Sequence, residues 1–138
     1  GYPGETEKDF KDTLKLIEKV RFINSFSFIF SPRPGTVSSN LSTIDKDVSS
    51  KRLEMIQKML FDKQLKMNKS LENSTQSVLV ENPTKDKTKL FGRSEYMTPV
   101  IFNGSKDLIG KIVDVKILNS NRNTLFGEVV VKSKKKVA

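Results

Sequence analysis

The apolar residues near the start of the chain recur at the spacing of an α-helix. Steps of four, three and three residues separate the members of one apolar stripe, namely Phe10, Leu14, Ile17 and Val20. This spacing predicts a helix from about Thr6 to Arg21, with its lysines off the stripe. Thr6 followed three residues later by Asp9 is a typical signal for the start of a helix.

The next apolar segment has the pattern of a strand. Phe26–Phe30 is almost continuously apolar and is followed by Pro32, which is typical of a short strand covered on both faces. A further strand is expected to end at Gly1, because the turn-forming residues 1–4 lead directly into the helix. Strand, helix and strand form one unit of an α/β repeat with a parallel sheet. Residues 1–44 are therefore predicted to be the end of a larger α/β barrel, and the chain to be part of something longer.

The apolar period changes in the second half of the chain. Steps of three, four, seven and four residues first predict a connecting helix over residues 45–71, with the stripe Leu53, Ile56, Leu60, Met67 and Leu71. From Thr75 onward the period is two, and turn-forming clusters separate five short runs rich in Val, Ile, Leu and Phe. Five strands within residues 72–138 predict a small closed β-barrel of OB-like form, with Phe91 and Phe126 in its interior. The predicted fold class is α/β plus all-β.

The charge of the chain points to an anionic partner. Its 138 residues include 25 Lys and Arg against 16 Asp and Glu, a formal net charge of +9 at pH 7. Both halves are basic, so nucleic acid or a membrane surface is a reasonable partner, and a basic protein without such a partner is the alternative. The final KSKKKVA segment is expected to be a solvated tail, with phosphate contact as the alternative.

Two absences exclude much of common enzyme chemistry. The chain contains neither Cys nor His, which excludes disulfides, thiolate metal sites, Cys nucleophiles and acid–base catalysis by His. No apolar run reaches the roughly 18 residues of a membrane-spanning helix, and the first residues are too polar for a signal peptide. We therefore expect no membrane partner and a cytoplasmic location.

Several motifs of the chain resemble one enzyme family. The segments GYPGETEKDF (residues 1–10) and FSFIFSPRPGT (residues 26–36), with the following five-strand module, resemble the C-terminal part of the radical-SAM methylthiotransferases, whose last domain is called TRAM. Members of this family that act on tRNA are the most similar to NKSL (68–71), GRSEYM (92–97), DLIGKIVDVKI (107–117) and TLFGEVV (124–130). The resemblance covers essentially the whole chain.

The resemblance implies a parent enzyme that adds a methylthio group to N6-isopentenyl-adenosine next to the tRNA anticodon. Its cofactors would be S-adenosyl-L-methionine and two 4Fe–4S clusters. The cluster cysteines of the family are absent from this chain, so they are expected in a missing N-terminal part of the same enzyme. The chain alone is therefore expected to be inactive, with no catalytic residue and no metal ligand of its own.

Two loops are candidates for the wall of the S-adenosylmethionine or substrate pocket. Loops that follow the strands of an α/β barrel form its active-site face. The candidate residues are Gly1, Tyr2, Pro3, Gly4, Glu5, Ser31, Arg33, Gly35 and Thr36. Arg33 could hold a carboxylate or phosphate with two parallel hydrogen bonds. The alternative is that these Pro-Gly turns only connect strands to helices.

For the barrel, the resemblance implies RNA binding, with the tRNA anticodon stem-loop as the partner. The candidate RNA-binding residues are Arg93, Tyr96, Lys111, Lys116, Arg122 and Asn123, which are expected to converge on one end or face of the barrel. Tyr96 could stack on an unpaired base, whereas packing is the commoner role of a single Tyr. The NSNRN segment that contains Arg122 could equally be only a turn.

Other functions stay open at this point. A sister methylthiotransferase that acts on threonylcarbamoyl-adenosine in tRNA or on a ribosomal protein would share the barrel and much of GYPGET. The chain could also be a self-standing RNA-binding module, or a non-catalytic piece of a decayed reading frame. The half repeat at residues 1–44 favours a part of a tRNA-modifying enzyme, because a self-standing module has no use for it. No obligate protein partner is indicated.

Overall fold

The structure is a computed structural model that describes residues 1–130. The predicted basic tail, KSKKKVA, lies outside the described residues. The chain divides into two compact units, Gly1–Gln64 and Leu65–Ala138.

Apart from the strand predicted at Phe26–Phe30, the helices and strands follow the order that the apolar periods indicate. Within the described residues they are α1 (Glu7–Lys19), α2 (Lys46–Ser70), β1 (Thr75–Pro83), β2 (Leu90–Ser94), β3 (Pro99–Asn103), β4 (Ile112–Ser120) and β5 (Leu125–Val129). Short 3₁₀ turns occupy Val37–Asn40 and Lys106–Leu108. None of the helices in this part of the chain is long and apolar enough to cross a lipid bilayer.

Helix α1 begins where the sequence predicts. The Asp9 backbone N–H donates to the Thr6 hydroxyl oxygen (3.2 Å), and the Thr6 backbone N–H donates to the Asp9 carboxylate (2.8 Å). These reciprocal bonds satisfy two N–H groups that the first helical turn cannot pair internally. Phe10 and Ile17 are buried and Leu14 is half-buried, as the predicted stripe requires, whereas its last member, Val20, is the C-terminal cap of the helix and is exposed.

The segment Phe26–Phe30 is not a strand, contrary to the prediction. All strands within the described residues lie between Thr75 and Val129, so no strand of the first unit is available to pair with this segment. A strand is stable only when its backbone groups bond to a neighbour, and the apolar pattern of one segment cannot show whether that neighbour exists. Phe26 and Phe28 are consequently 82% and 83% exposed.

The exposed side chains of Phe26 and Phe28 are expected to promote self-association of the chain. Large apolar residues in a segment of high β-propensity favour pairing between molecules. We expect the double substitution Phe26→Ser and Phe28→Ser to lower light scattering as the protein is concentrated, with unchanged helix content by circular dichroism. Val37→Ser removes an equally exposed apolar side chain outside the segment and is the control. An equal reduction by the control would contradict this origin of the association.

Helix α2 confirms the predicted long helix. Asp45 precedes it, and its carboxylate accepts hydrogen bonds from the backbone N–H groups of Asp47 (2.9 Å) and Val48 (3.1 Å). This cap satisfies donors of the first turn, which have no partner inside the helix. Residues 46–64 belong to the first unit and residues 65–70 to the second.

The five strands close into a barrel in the order β1-β2-β3-β5-β4. Neighbouring strands are antiparallel except β3 and β5, which are parallel. The closed five-stranded barrel confirms the predicted OB-like form. Its core consists of buried apolar residues from every strand: Val78, Val80, Leu90, Val100, Phe102, Val115, Ile117 and Leu125.

Phe91 and Phe126 do not fill the barrel, contrary to the prediction. Successive residues of a strand point to opposite faces of the sheet. Leu90 and Leu125 are buried in the core, so the phenylalanine that follows each of them lies on the outer surface. The buried aromatic ring of the barrel is that of Phe102.

The barrel contains two equivalent hairpins, β1–β2 and β4–β5. β1 and β4 have the same length and the same order of buried and exposed positions, and β2 and β5 both begin with Leu-Phe-Gly. The glycine of each hairpin lies beside an irregularity in the first strand, with Gly92 close to the Leu79 carbonyl and Gly127 close to the Lys116 carbonyl. Only a residue without a side chain fits at this distance.

Candidate nucleic-acid interface

The turn between β4 and β5 is a preformed loop. The Asn121 side-chain oxygen accepts hydrogen bonds from the backbone N–H groups of Asn123 (2.9 Å) and Thr124 (2.8 Å), and the Asn121 N–H donates to the Thr124 carbonyl (2.9 Å). Such a turn, closed by an asparagine side chain, has a defined backbone conformation. It exposes Arg122 and Asn123, which are joined by a hydrogen bond from Nε of Arg122 to Oδ1 of Asn123 (3.2 Å).

The buried side chain of Asn68 donates hydrogen bonds to the backbone of this turn. It is 1% exposed, and its Nδ2 donates to the carbonyl oxygens of Asn121 (2.9 Å) and Arg122 (2.8 Å). In the sequence, Asn68 stands out only as part of the NKSL motif. The available signal was a polar residue inside the apolar stripe of α2, between Met67 and Leu71.

Arg93 lies flat on the outer surface of β2. Its guanidinium carbon is 5.6 Å from the centre of the Phe91 ring, Nε is 3.2 Å from a Glu81 carboxylate oxygen, and Nη1 donates to the Met97 carbonyl (3.3 Å). Tyr96 lies in the adjacent turn and is 41% exposed. A phosphate bound by Arg93 would therefore compete with Glu81 for the guanidinium group.

The remaining predicted lysines lie elsewhere on the barrel. Lys116 is exposed on β4, with Thr75 of β1 and Glu128 of β5 as its neighbours in register. Lys111 precedes β4, and its ammonium group is 4.0 Å from an Asp107 carboxylate oxygen.

The six predicted RNA-binding residues do not share one end of the barrel. Because β3 and β5 are parallel, the turns that precede them lie at the same end, with Tyr96 in one turn and Arg122 and Asn123 in the other. Lys111 lies at the opposite end, because β4 starts where its antiparallel neighbour β5 finishes. The sequence predicts strands but does not show their directions within a closed barrel, and therefore the expected convergence holds only in part.

The loop between β1 and β2 is a second basic surface, which sequence reasoning treated only as a turn. Residues 84–89, TKDKTK, contain three Lys and one Asp, a net charge of +2. The Asp86 carboxylate accepts hydrogen bonds from the Thr84 hydroxyl and from the Thr88 backbone N–H. These bonds, the one from Thr84 most strongly, keep the pKa of Asp86 below its ordinary value. The Asp86 carboxylate thus holds the loop in one conformation. The three lysines of the loop, Lys85, Lys87 and Lys89, are exposed.

The two loops predicted for the cofactor pocket are neighbours in the first unit. The Tyr2 and Phe30 rings meet edge to face with 5.1 Å between centroids, which brings residues 1–5 beside residues 31–36. Pro3 is buried, whereas Gly4, Ser31, Arg33, Gly35 and Thr36 are exposed. The Thr36 hydroxyl donates to the Arg33 carbonyl (2.8 Å) and closes the second turn.

Glu5 is engaged by an arginine that sequence reasoning missed. Arg52, 11% exposed in its side chain, donates from Nη1 to Glu5 (2.9 Å) and from Nη2 to Glu7 (3.1 Å), and its guanidinium carbon is 5.2 Å from the Phe10 ring centre. Burial raises the pKa of the Glu5 carboxyl, but the hydrogen bonds and positive charge beside it, those of Arg52 among them, outweigh burial and leave the pKa below its ordinary value. The Glu5 carboxylate therefore stabilises the first unit in addition to any role at a pocket.

Iron–sulfur ligation does not fit the residues of this chain. The sequence has no Cys, and residues 1–130 hold no cluster of three or more His, Cys, Asp or Glu side chains arranged for a metal ion. Thiolates are the usual ligands of such clusters.

The topology and the basic loops define the class of the second unit. Small barrels of this kind bind oligonucleotides with their strand faces and with the loops that follow β1 and β4, and those are the loops that carry Lys85, Lys87, Lys89 and Arg122. Residues 69–130 match the family model of the TRAM domain. The second unit is therefore a TRAM domain.

The chain as a whole is similar to one group of enzymes. It is 62% identical over 138 residues, 100% of its length, to the tRNA-2-methylthio-N(6)-dimethylallyladenosine synthase of Pelagibacter ubique (strain HTCC1062), of which it covers 31%. It is 45% identical over 131 residues (94% of the chain) to the synthase of Ruthia magnifica subsp. Calyptogena magnifica and 45% identical over 132 residues (94%) to that of Vibrio cholerae, and it covers 30% and 28% of these proteins. The chain is thus a homologue of these synthases and spans about 30% of their length.

Proposed function

We propose that the chain is the tRNA-binding part of a tRNA methylthiotransferase that modifies N6-isopentenyl-adenosine next to the anticodon. The observation that carries this proposal is the 62% identity, over all 138 residues, to a synthase named for that modified base. The same name favours this substrate over threonylcarbamoyl-adenosine or a ribosomal protein. We assign residues 1–44 to the end of the radical-SAM barrel, residues 45–71 to the connecting helix and residues 72–138 to the TRAM barrel, in a cytoplasmic enzyme.

The parent enzyme would use S-adenosyl-L-methionine and two 4Fe–4S clusters, which supply the radical and sulfur chemistry of methylthiolation. This chain contributes no cluster ligand, because it has no Cys. Its contribution to the cofactor site is the pair of adjacent loops at residues 1–5 and 31–36. Arg33, exposed in the second of these loops, is the residue suited to a carboxylate or phosphate group.

The TRAM barrel would bind the anticodon stem-loop by its basic groups and its exposed tyrosine. Residues 72–138 contain 12 Lys and Arg against 7 Asp and Glu, a net charge of 12 − 7 = +5. The contact residues that we propose are Arg93, Tyr96, Lys111, Lys116, Arg122 and Asn123. Single-stranded RNA is recognised through unstacked bases and phosphates, and Tyr and Arg or Lys side chains are suited to these two kinds of contact.

The affinity of the full chain for an anticodon stem-loop RNA is expected to fall as salt is added. If about three to five phosphates are contacted, the plot of log affinity against log salt has a slope of roughly −2 to −4. Lys116→Ala should flatten this slope by up to about one unit if the residue meets a phosphate. Tyr96→Ala should weaken binding by about 1 to 3 kcal/mol with the slope retained, because stacking releases no counterions. Fluorescence anisotropy titrations at several salt concentrations measure both quantities.

Lys8→Ala is the matched control for Lys116→Ala. Lys8 is an exposed lysine of α1 and lies outside the barrel, so its loss should leave the slope unchanged. Binding that does not depend on salt, or no binding at low salt, would contradict an RNA-binding role of the barrel.

A further inference from the structure

Phe91 and Phe126 occupy equivalent places in the two hairpins. Each follows the buried leucine and precedes the close-packed glycine of its Leu-Phe-Gly run. Ile101 of β3 is the register partner of both, Phe91 on one side and Phe126 on the other. The outer surface of the barrel therefore carries a continuous apolar row across β2, β3 and β5.

The two rings differ in what covers them. The Arg93 guanidinium lies over Phe91 and is held there by Glu81. The strand positions that correspond to Arg93 and Glu81 in the second hairpin are Glu128 and Leu118, which cannot form such a pair. Among residues 1–130 no cationic side chain stacks on Phe126.

An open hollow lies over Phe126 instead. It has a volume of about 410 Å³ and is lined by Phe126, Ile101 and the β1–β2 loop residues Thr84, Lys85, Asp86 and Lys89. A second hollow of about 280 Å³ shares Lys89, Ile101 and Phe126 and extends to Asn103 and Asn119. We call the two together the Phe126 hollow. The first volume lies in the range of small-ligand sites.

We propose that the Phe126 hollow binds an unstacked base of single-stranded RNA, with the base on the Phe126 ring and the adjoining phosphates near Lys85 and Lys89. This inference rests on the proposed function and names the place on the barrel where a loop nucleotide is held. A planar base suits the aromatic floor, since stacking on an aromatic side chain accepts any base. The amides of Asn103 and Asn119 at the rim can donate to or accept from the edge of a base.

The charges around the hollow favour a polyanion. The β1–β2 loop has a net charge of +2, and the carboxylate of Asp86, its one acid, is held by Thr84 and Thr88 within the loop. Glu128 is the other acid close by, and it faces Lys116 in register. The lysines at the rim would therefore neutralise phosphates while the uncharged floor holds the base.

The test compares Phe126→Leu with Phe91→Leu in the full chain. The probes are a fluorescein-labelled anticodon stem-loop RNA for affinity, and the same RNA with 2-aminopurine in its loop for stacking. We expect Phe126→Leu to weaken binding at least about fivefold, the lower end of about 1 to 3 kcal/mol per stacked base at 1.4 kcal/mol per tenfold. The salt slope should stay unchanged, and the change in 2-aminopurine fluorescence on binding should be lost. Phe91→Leu, at the ring that Arg93 covers, should retain the change in 2-aminopurine fluorescence of the wild-type chain, because no base stacks on that ring.

A second variant tests the same site without removing the ring. The double substitution Glu128→Arg and Leu118→Glu, at two exposed positions, places the Arg93–Glu81 arrangement of the first hairpin over Phe126. It raises the net charge by one unit, which by electrostatics alone would strengthen RNA binding. We expect weaker binding, by about fivefold or more, because the new guanidinium covers the ring that the base needs.

The outcomes separate this inference from the proposed function. If the wild-type chain binds the RNA with a salt slope and all three variants bind as tightly, the hollow is not the base site although the barrel binds RNA. If the wild-type chain does not bind the RNA at all, both proposals fail. Equal losses in Phe126→Leu and Phe91→Leu would also overturn the hollow, because they would show a general effect of phenylalanine loss. Far-UV circular dichroism confirms that each variant is folded.

Discussion

Gly127→Ala is expected to destabilise the TRAM barrel by about 2 to 4 kcal/mol, the range for overpacking combined with backbone strain. A Cβ at Gly127 would lie far inside van der Waals contact with the Lys116 carbonyl oxygen and 2.7 Å from Cγ1 of Val115. The carbonyl belongs to the neighbouring strand, so the two strands must move apart to admit the methyl group. Gly92→Ala should have a similar effect, because its Cβ would meet the Leu79 carbonyl in the same way.

Gly104→Ala is the control for these two substitutions. Its Cβ would be 2.9 Å from Cδ1 of Leu90 and 3.2 Å from Cδ1 of Leu108, which are the ends of flexible side chains. Those side chains can change rotamer, so we expect a smaller loss of stability. Urea unfolding followed by circular dichroism gives the three free energies. Equal losses at Gly104 and Gly127 would contradict the close approach of β4 to β5.

Asn68→Asp is expected to destabilise the second unit by about 3 to 5 kcal/mol at pH 7, the usual effect of an uncompensated buried charge. The Asn68 amide donates to two carbonyl oxygens, those of Asn121 and Arg122. An ionised carboxylate at this position cannot donate and would face both oxygens. Asn68→Ala, which only leaves the carbonyls without this donor, should be milder, at about 1 to 3 kcal/mol.

The loss in Asn68→Asp should depend on pH in a defined direction. Burial and the two facing carbonyls raise the pKa of the introduced carboxyl above its unfolded value of about 3.9. The loss is therefore small below about pH 4, where the carboxyl is neutral in both states, and it grows as the pH rises toward the folded pKa. Urea unfolding of the variant and the wild-type chain at matched pH values measures the difference. A loss that is constant with pH would mean that the carboxylate reaches solvent and that the turn has moved away from Asn68.

The sequence predicts the barrel well because each strand is recorded in an apolar period of two with turn-forming residues between strands. The same period of two puts Leu90 and Phe91 on opposite faces of their strand. The prediction that Phe91 fills the interior was therefore wrong for a reason that the sequence itself shows. The segment Phe26–Phe30 is a place where the apolar pattern does not predict the structure. Its composition is that of a strand, but strand formation depends on a neighbour that the local sequence does not record.

The candidate sites were predictable by residue type and less so by arrangement. Arg93 and Glu5 stand out as charged residues in the sequence, but their partners Glu81 and Arg52 are distant in sequence or on another strand. The sequence of the β1–β2 loop indicates only a turn, because the relation of its lysines to Phe126 exists only after the barrel closes.

The most direct test of RNA binding by the barrel is a nuclear magnetic resonance titration of the nitrogen-15-labelled full chain with an anticodon stem-loop RNA. We expect the backbone amide signals that shift to lie in the second unit. They should include the β1–β2 loop at residues 84–89, the proposed contacts around Tyr96 and Lys116, and the stretch from the β4–β5 turn to Phe126. Signals of α1 in the first unit should serve as unshifted references. Shifts confined to the first unit, or no shifts at low salt, would contradict an RNA-binding TRAM barrel.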